Sequence, residues 1–161
     1  MCVSFLELST NKEDKVQIKN IISDSKALEE GSKINSFTIY DYLKTPHSIK
    51  DIIKGKESFV FFWNPKYISK NYISSRMKFL SNKYPTINFI QVKIGEGNSN
   101  RIKGLDIKNQ YYVDDKSEAN LFLKSKLPRA IIIDEKGLVV HGFASISSKS
   151  LYPFLNELAK K

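Results

Sequence analysis

The sequence predicts an α/β domain whose sheet contains at least one parallel crossover, and three observations predict it. Glu57–Trp63 contains Phe59-Val60-Phe61-Phe62-Trp63, apolar on both faces, as a strand in the middle of a covered sheet must be. Tyr67–Lys83 follows as a long amphipathic helix and Ile87–Ile94 as another strand, giving a β-α-β unit. Arg129–Ile133 and Leu138–Gly142 then flank Asp134-Glu135-Lys136-Gly137, a tight hairpin turn with Asp first and Gly last.

In chain order, Val3–Leu8 reads as a short strand or an extended lead-in. Thr10-Asn11-Lys12-Glu13 matches a capping box, in which the Thr hydroxyl and the Glu carboxylate each satisfy an orphan amide. Val16, Ile18, Ile21, Ile22 and Leu28 recur at helical spacing up to Gly31, a C-terminal stop. Ser36–Tyr40 reads as a strand, Ser48–Ile53 as one or two helical turns, and Gly55 as the turn that follows. Asn64 caps the long helix, with Pro65 in its first turn. Tyr72, Ile73, Met77, Phe79 and Leu80 supply the buried stripe, and Asn82–Pro85 ends it. Gly95–Asn100 is a polar loop, Arg101–Asn109 is a loop or a helical turn, and Ser117–Lys124 is a helix. In the closing helix Leu151, Phe154, Leu155 and Leu158 share one side, Ser150 caps, and Pro153 sits where its missing N–H costs nothing.

Composition narrows the function. At 161 residues the chain is one domain's worth. Its longest fully apolar run, Phe59–Trp63, is far short of the ~20 residues that cross a bilayer, so no membrane insertion is expected. The net charge of +9 comes almost wholly from lysines spread from Lys12 to Lys161, with Arg76, Arg101 and Arg129 the arginines. A nucleic-acid binder concentrates its charge on one face and uses Arg for bidentate contacts, so a solvated lysine-rich surface is the better reading. The single cysteine, Cys2, excludes an intramolecular disulfide, a thiolate zinc cage and a two-thiol redox cycle. His47 and His141 cannot make a three-histidine metal site. His141 reads as a strand-end residue, His47 as a turn residue, and Asp114-Asp115 as a solvated pair. Gly95-Glu96-Gly97 is too short for a phosphate loop.

The order of elements, with the strand ending in Phe62-Trp63, resembles the thioredoxin fold. More narrowly it resembles the TlpA-type thiol-disulfide reductases of bacterial envelopes. The matching pieces are Gly31-Ser32-Lys33-Ile34, Ser48–Lys56, Phe62-Trp63, Leu127-Pro128 and Ile133–Gly137. The resemblance implies a central mixed sheet flanked by helices, with residues 30–161 forming the thioredoxin-like domain and residues 1–29 a helical extension. It also implies a cis Leu127–Pro128 bond facing the start of the long helix, and a periplasmic or envelope location.

The departure from that family lies at its reactive site. There Phe-Trp is followed by Cys-x-x-Cys at the start of the long helix, whose N-terminus stabilises the attacking thiolate. Here Tyr67 and Lys70 stand at the two cysteine positions. The reading that follows is a domain without dithiol redox activity, needing no cofactor, that binds a protein or peptide or serves a structural role. An extended polypeptide or partner would lie in a groove lined by Trp63, Pro65, Tyr67, Leu127 and Pro128, with Lys66 and Lys70 at the rim, paired as an added strand would be. The alternative is that Pro128 is kept for the turn while Trp63 and Tyr67 simply pack. A second alternative is an oxidoreductase or peroxidase that uses Cys2 or a partner's thiols. Against it, Cys2 precedes the first helix rather than occupying the first turn of the long one.

Overall fold

The computed structural model describes residues 10–95, 101–121 and 127–161. Cys2 and the expected strand Val3–Leu8 lie outside the described residues, as do most of the Gly95–Asn100 loop and the end of the expected helix Ser117–Lys124.

Helix α1 (Lys12–Ala27) opens the fold. Strands β1 (Thr38–Asp41) and β2 (Pro46–Ser48) form a hairpin, and the short α2 (Ile49–Ile53) leads into β3 (Ser58–Trp63). Helix α3 (Lys70–Lys83) connects β3 to β4 (Asn88–Lys93), and β5 is the short Gln110–Tyr112. The hairpin β6 (Arg129–Ile133) and β7 (Val139–Ala144) precedes α4 (Leu151–Ala159). The seven strands form one mixed sheet in the order β2-β1-β5-β4-β3-β6-β7. β3 pairs with β4 in parallel and with β6 antiparallel, and β4 pairs with β5 in parallel.

Alternation along β3 and β6 divides the core into two layers. Phe59, Phe61, Trp63, Ala130 and Ile132 pack on one face against Ile73, Met77 and Leu80 of α3 and Leu151, Leu155 and Leu158 of α4. Val60, Phe62, Ile131 and Ile133 pack on the other with Leu28, Ile34, Ile49 and Ile53. Every residue of β3 is buried, so its run of apolar side chains serves both layers at once. Residues 31–34 run along β7, with Gly31 N–H donating to the Val139 carbonyl at 2.8 Å and Ile34 N–H to the Gly137 carbonyl at 3.1 Å.

Several boundaries differ from the sequence reading, each for a local reason. Asn11, not Thr10, caps α1, its side chain accepting from Glu13 N–H at 2.9 Å. That helix ends at Ala27, and Gly31 instead takes φ +82° in the turn leading to the β7 pairing. Ser69, not Asn64, caps α3, so residues 64–69 are turn rather than helix. Only Ile73, Met77 and Leu80 are buried on α3; Tyr72 and Phe79 sit one position, or about 100°, off that stripe and are exposed. Ser150 has helical dihedrals and makes no side-chain cap bond. Glu118–Leu121 is a 3-10 turn rather than an α-helix. His47 lies in β2, not in a turn, and His141 lies within β7, stacked on Phe154 with ring centroids 4.7 Å apart. Asp134 orders the β6–β7 turn, accepting from the Lys136 and Leu138 amides at 2.9 Å each.

Candidate functional site

Because β3, β4 and β5 run parallel, their C-terminal ends share one edge of the sheet, where α/β proteins commonly place their sites. Trp63 ends β3 there, and Ile94 N–H donates to its carbonyl at 2.8 Å. The chain then turns sharply. Tyr67 N–H donates to the Asn64 carbonyl at 3.0 Å, with Pro65 at the second position, where its fixed φ suits a β-turn. The Asn64 carboxamide accepts from Lys66 N–H at 2.9 Å, which keeps it from capping the helix. Gly95 passes under the same carboxamide; a Cβ there would lie 2.6 Å from Asn64 Nδ2, and its φ is +93°. Ser69 Oγ accepts from Tyr72 N–H at 3.3 Å and starts α3, whose first residue is Lys70.

The antiparallel register that sets Phe62 opposite Arg129 carries Pro128 level with Trp63, and the Leu127–Pro128 peptide bond is cis. The expected groove residues divide by exposure. Trp63 is buried in the layer against α3 and α4, and Leu127 packs partly buried on the opposite layer. Pro65 and Tyr67 are exposed, with Lys66 Nζ 5.6 Å from the Tyr67 ring centroid. Pro128 is half-buried.

Two cations in this region escaped the sequence reading. Lys93 ends β4 beside Trp63 and is fully buried, its Nζ 3.5 Å from the Gly95 carbonyl oxygen. Burial holds its ammonium below the usual lysine range, and the charge of Lys70 adds to the effect. Arg129, directly after Pro128, is buried on the α1 side of the sheet. Its Nη1 lies 3.4 Å from Oδ2 of Asp24, itself wholly buried, and its guanidinium carbon is 4.6 Å from the Phe143 ring centroid. Burial lowers the Arg129 pKa and Asp24 opposes the shift. One signal was available in the sequence: Asp24 interrupts an apolar helical stripe, and Arg129 is an arginine where nearly every other cation is lysine, as suits a buried pair.

The start of α3 thus presents a phenol, an ammonium and a proline around a capped turn. A sulfur nucleophile is absent there: Tyr67 and Lys70 offer no thiolate, and Ser69 Oγ is engaged in the cap. The Asp114 carboxylate accepts from Lys116 N–H at 3.1 Å, an ordinary turn, and no group of three or more metal-ligating side chains occurs among the described residues.

No family model and no curated protein matches the sequence. Solved structures do. The thioredoxin domain of a thiol-disulfide oxidoreductase from Bacteroides vulgatus superposes with TM-score 0.62 at 19% identity, covering 82% of this chain and 99% of that one. A thiol:disulfide interchange protein from Bacteroides sp. gives TM-score 0.62 at 19% identity over 84% of this chain and 93% of that one. A thioredoxin-like protein from Bacteroides caccae gives 0.65 at 13% identity, over 95% of this chain but 58% of that one. The protein has the thioredoxin-like fold of such oxidoreductase domains, with a single cysteine and hence no Cys-x-x-Cys pair.

Proposed function

We propose that this protein is a thioredoxin-like domain that works without dithiol exchange, holding an extended polypeptide or a partner protein at the edge where β3 meets α3. One observation carries the reading: the chain has one cysteine, so no pair of thiols can close a disulfide within it. The exposed Pro65 and Tyr67 that follow β3 and the half-buried Leu127 and Pro128 that precede β6 support the choice of place, because they leave apolar surface where the two paired strands end. Lys66 and Lys70 at the rim favour a segment carrying acidic residues. The envelope location that goes with this reading comes from the resemblance in the sequence.

Insulin reduction by dithiothreitol tests the first half. The expected rate equals the uncatalysed one; turnover above it, abolished by Cys2→Ser, would establish the thiol enzyme instead. Titration of ¹⁵N-labelled protein with a reduced, carboxymethylated polypeptide tests the second half. Amide shifts are expected at Tyr67, Lys70 and Leu127, and their absence would refute the binding role.

A further inference from the structure

A cavity of about 320 Å³ opens on the other side of the sheet's middle, between the β1–β2 turn and the 3-10 turn Ile107–Asn109. Tyr42, Leu43, Ile107 and Tyr111 give it apolar walls, and Asp41, His47 and Lys108 supply the charge. Its size and lining are those of a small-molecule site, concave and mainly apolar with a few polar groups.

Both rims are held firmly. Asp41 Oδ1 accepts from the Leu43 and Thr45 amides at 2.9 Å each, and Lys44 N–H donates to the Asp41 carbonyl at 3.0 Å. Lys44 adopts φ +68°, a strained conformation for a residue with a Cβ, which the surrounding bonds must maintain. The result is a leucine at 86% exposure on an ordered turn. Across the cavity, Asp106 caps the 3-10 turn through Lys108 N–H at 3.0 Å and presents Ile107, 39% exposed. Leu43 and Ile107 thus leave apolar surface on either side of an aromatic floor, which an apolar ligand body would cover.

The polar groups decide the charge of that occupant. The Asp41 carboxylate is already used, by two amides on one oxygen and by His47 Nε2 at 2.9 Å on the other. What the lining has left is donors. Lys108 is exposed and makes no ion pair among the described residues. The Tyr42 phenol, pushed up to about 12 by burial and the neighbouring Tyr112, stays protonated at neutral pH. Burial likewise raises Tyr111. A ligand's polar end therefore meets hydrogen-bond donors and a cation.

We propose that this cavity binds a small amphipathic acid, its aromatic or branched aliphatic body against Leu43, Ile107 and Tyr111 and its carboxylate at Lys108. The site is separate from the β3–α3 edge and stands or falls independently of it.

The test uses the whole chain, ¹⁵N-labelled, titrated with 4-phenylbutyrate and with its neutral amide. Saturable shifts are expected at Leu43, Lys108 and Tyr111, with the amide binding about tenfold more weakly. Leu43→Ser and Lys108→Glu alter exposed side chains, so thermal melting should be unchanged while affinity falls by roughly fivefold or more. No saturable shift up to about 10 mM, or shifts confined to Tyr67 and Leu127, would overturn the site. Equal binding of acid and amide would overturn its assignment to an anion.

Discussion

The two ends of β3 bury opposite charges and treat them differently. At the end that meets α3, Lys93 lies beside Trp63 and Arg129 lies opposite Phe62. Arg129 has a carboxylate brought to it by a separate helix, Asp24 of α1. At the other end the half-buried Glu57 precedes the strand, its two carboxylate oxygens out of contact with solvent. Its charged neighbours are Asp134 and Glu135, of like charge, and Lys161. Burying an ion is costly unless a partner offsets the lost hydration. The Arg129 guanidinium therefore meets that cost with a direct ion pair, while the Glu57 carboxylate has the more distant charge of Lys161, set against Asp134 and Glu135. The difference assigns α1 a structural duty: it supplies the carboxylate that faces the buried Arg129 guanidinium.

The largest expected effect follows from that duty. Asp24→Ala takes away the carboxylate facing a buried guanidinium and should destabilise the protein by about 4 kcal/mol in urea unfolding. Replacing both partners, Asp24→Leu with Arg129→Met, should recover most of the loss, because an apolar pair of similar size needs no charge compensation. If Asp24→Ala costs under about 1 kcal/mol, α1 is not what balances Arg129 and the contrast between the two ends fails.

The sequence made one end of this comparison far more legible than the other. Phe59–Trp63 declared the central strand because a run apolar on both faces fits only a covered position. The hairpin at Asp134–Gly137 was legible because its hydrogen bonds are local to the turn residues. β2 and β5 were not: each has three residues, β2 too short and polar to show a strand pattern beside β1, and β5 existing through pairing with β1 and β4, both well before it in sequence. Gln110 shows why, since its buried side chain bonds to the backbone of Ile102 at 2.7 and 3.0 Å and of Leu105 at 3.1 Å, contacts that no periodicity encodes. The β3–α3 edge was placed by resemblance, but Lys93 and the Asp24–Arg129 pair were missed. Charged residues inside apolar segments read as solvated until the sheet register closes over them.

A middle-sized effect sharpens the other end. Burial raises the Glu57 pKa above its ordinary value, Asp134 and Glu135 add to the rise, and Lys161 works against it. A carboxyl whose folded pKa lies above its unfolded one weakens the fold where it is ionised. That cost is complete above the folded pKa and fades as pH falls toward the unfolded value, about 4.3. Glu57→Gln keeps the shape and removes the charge, so it should stabilise by roughly 1 kcal/mol at pH 8. The gain should shrink toward zero near pH 4 in paired urea titrations. A less stable Gln variant at pH 8 would mean that Lys161 fully compensates Glu57 and that the two ends are alike.

The smallest effect returns to the α3 edge. Lys70 opens the helix, where the backbone N–H groups already concentrate positive charge, and the first turn of α3 contains no acidic residue. It also acts on buried Lys93 as a like charge, so two unfavourable terms meet at one half-buried cation. Lys70→Glu reverses both and should stabilise by about 0.5 kcal/mol at low salt. Since the effect is Coulombic, roughly half should disappear at about 0.5 M salt, where the screening length falls below the separation of surface charges. A gain independent of salt would trace to helix propensity rather than charge. A loss of stability would show that the lysine at the start of α3 is held by a favourable contact, removing the electrostatic difference drawn between this edge and the Glu57 end.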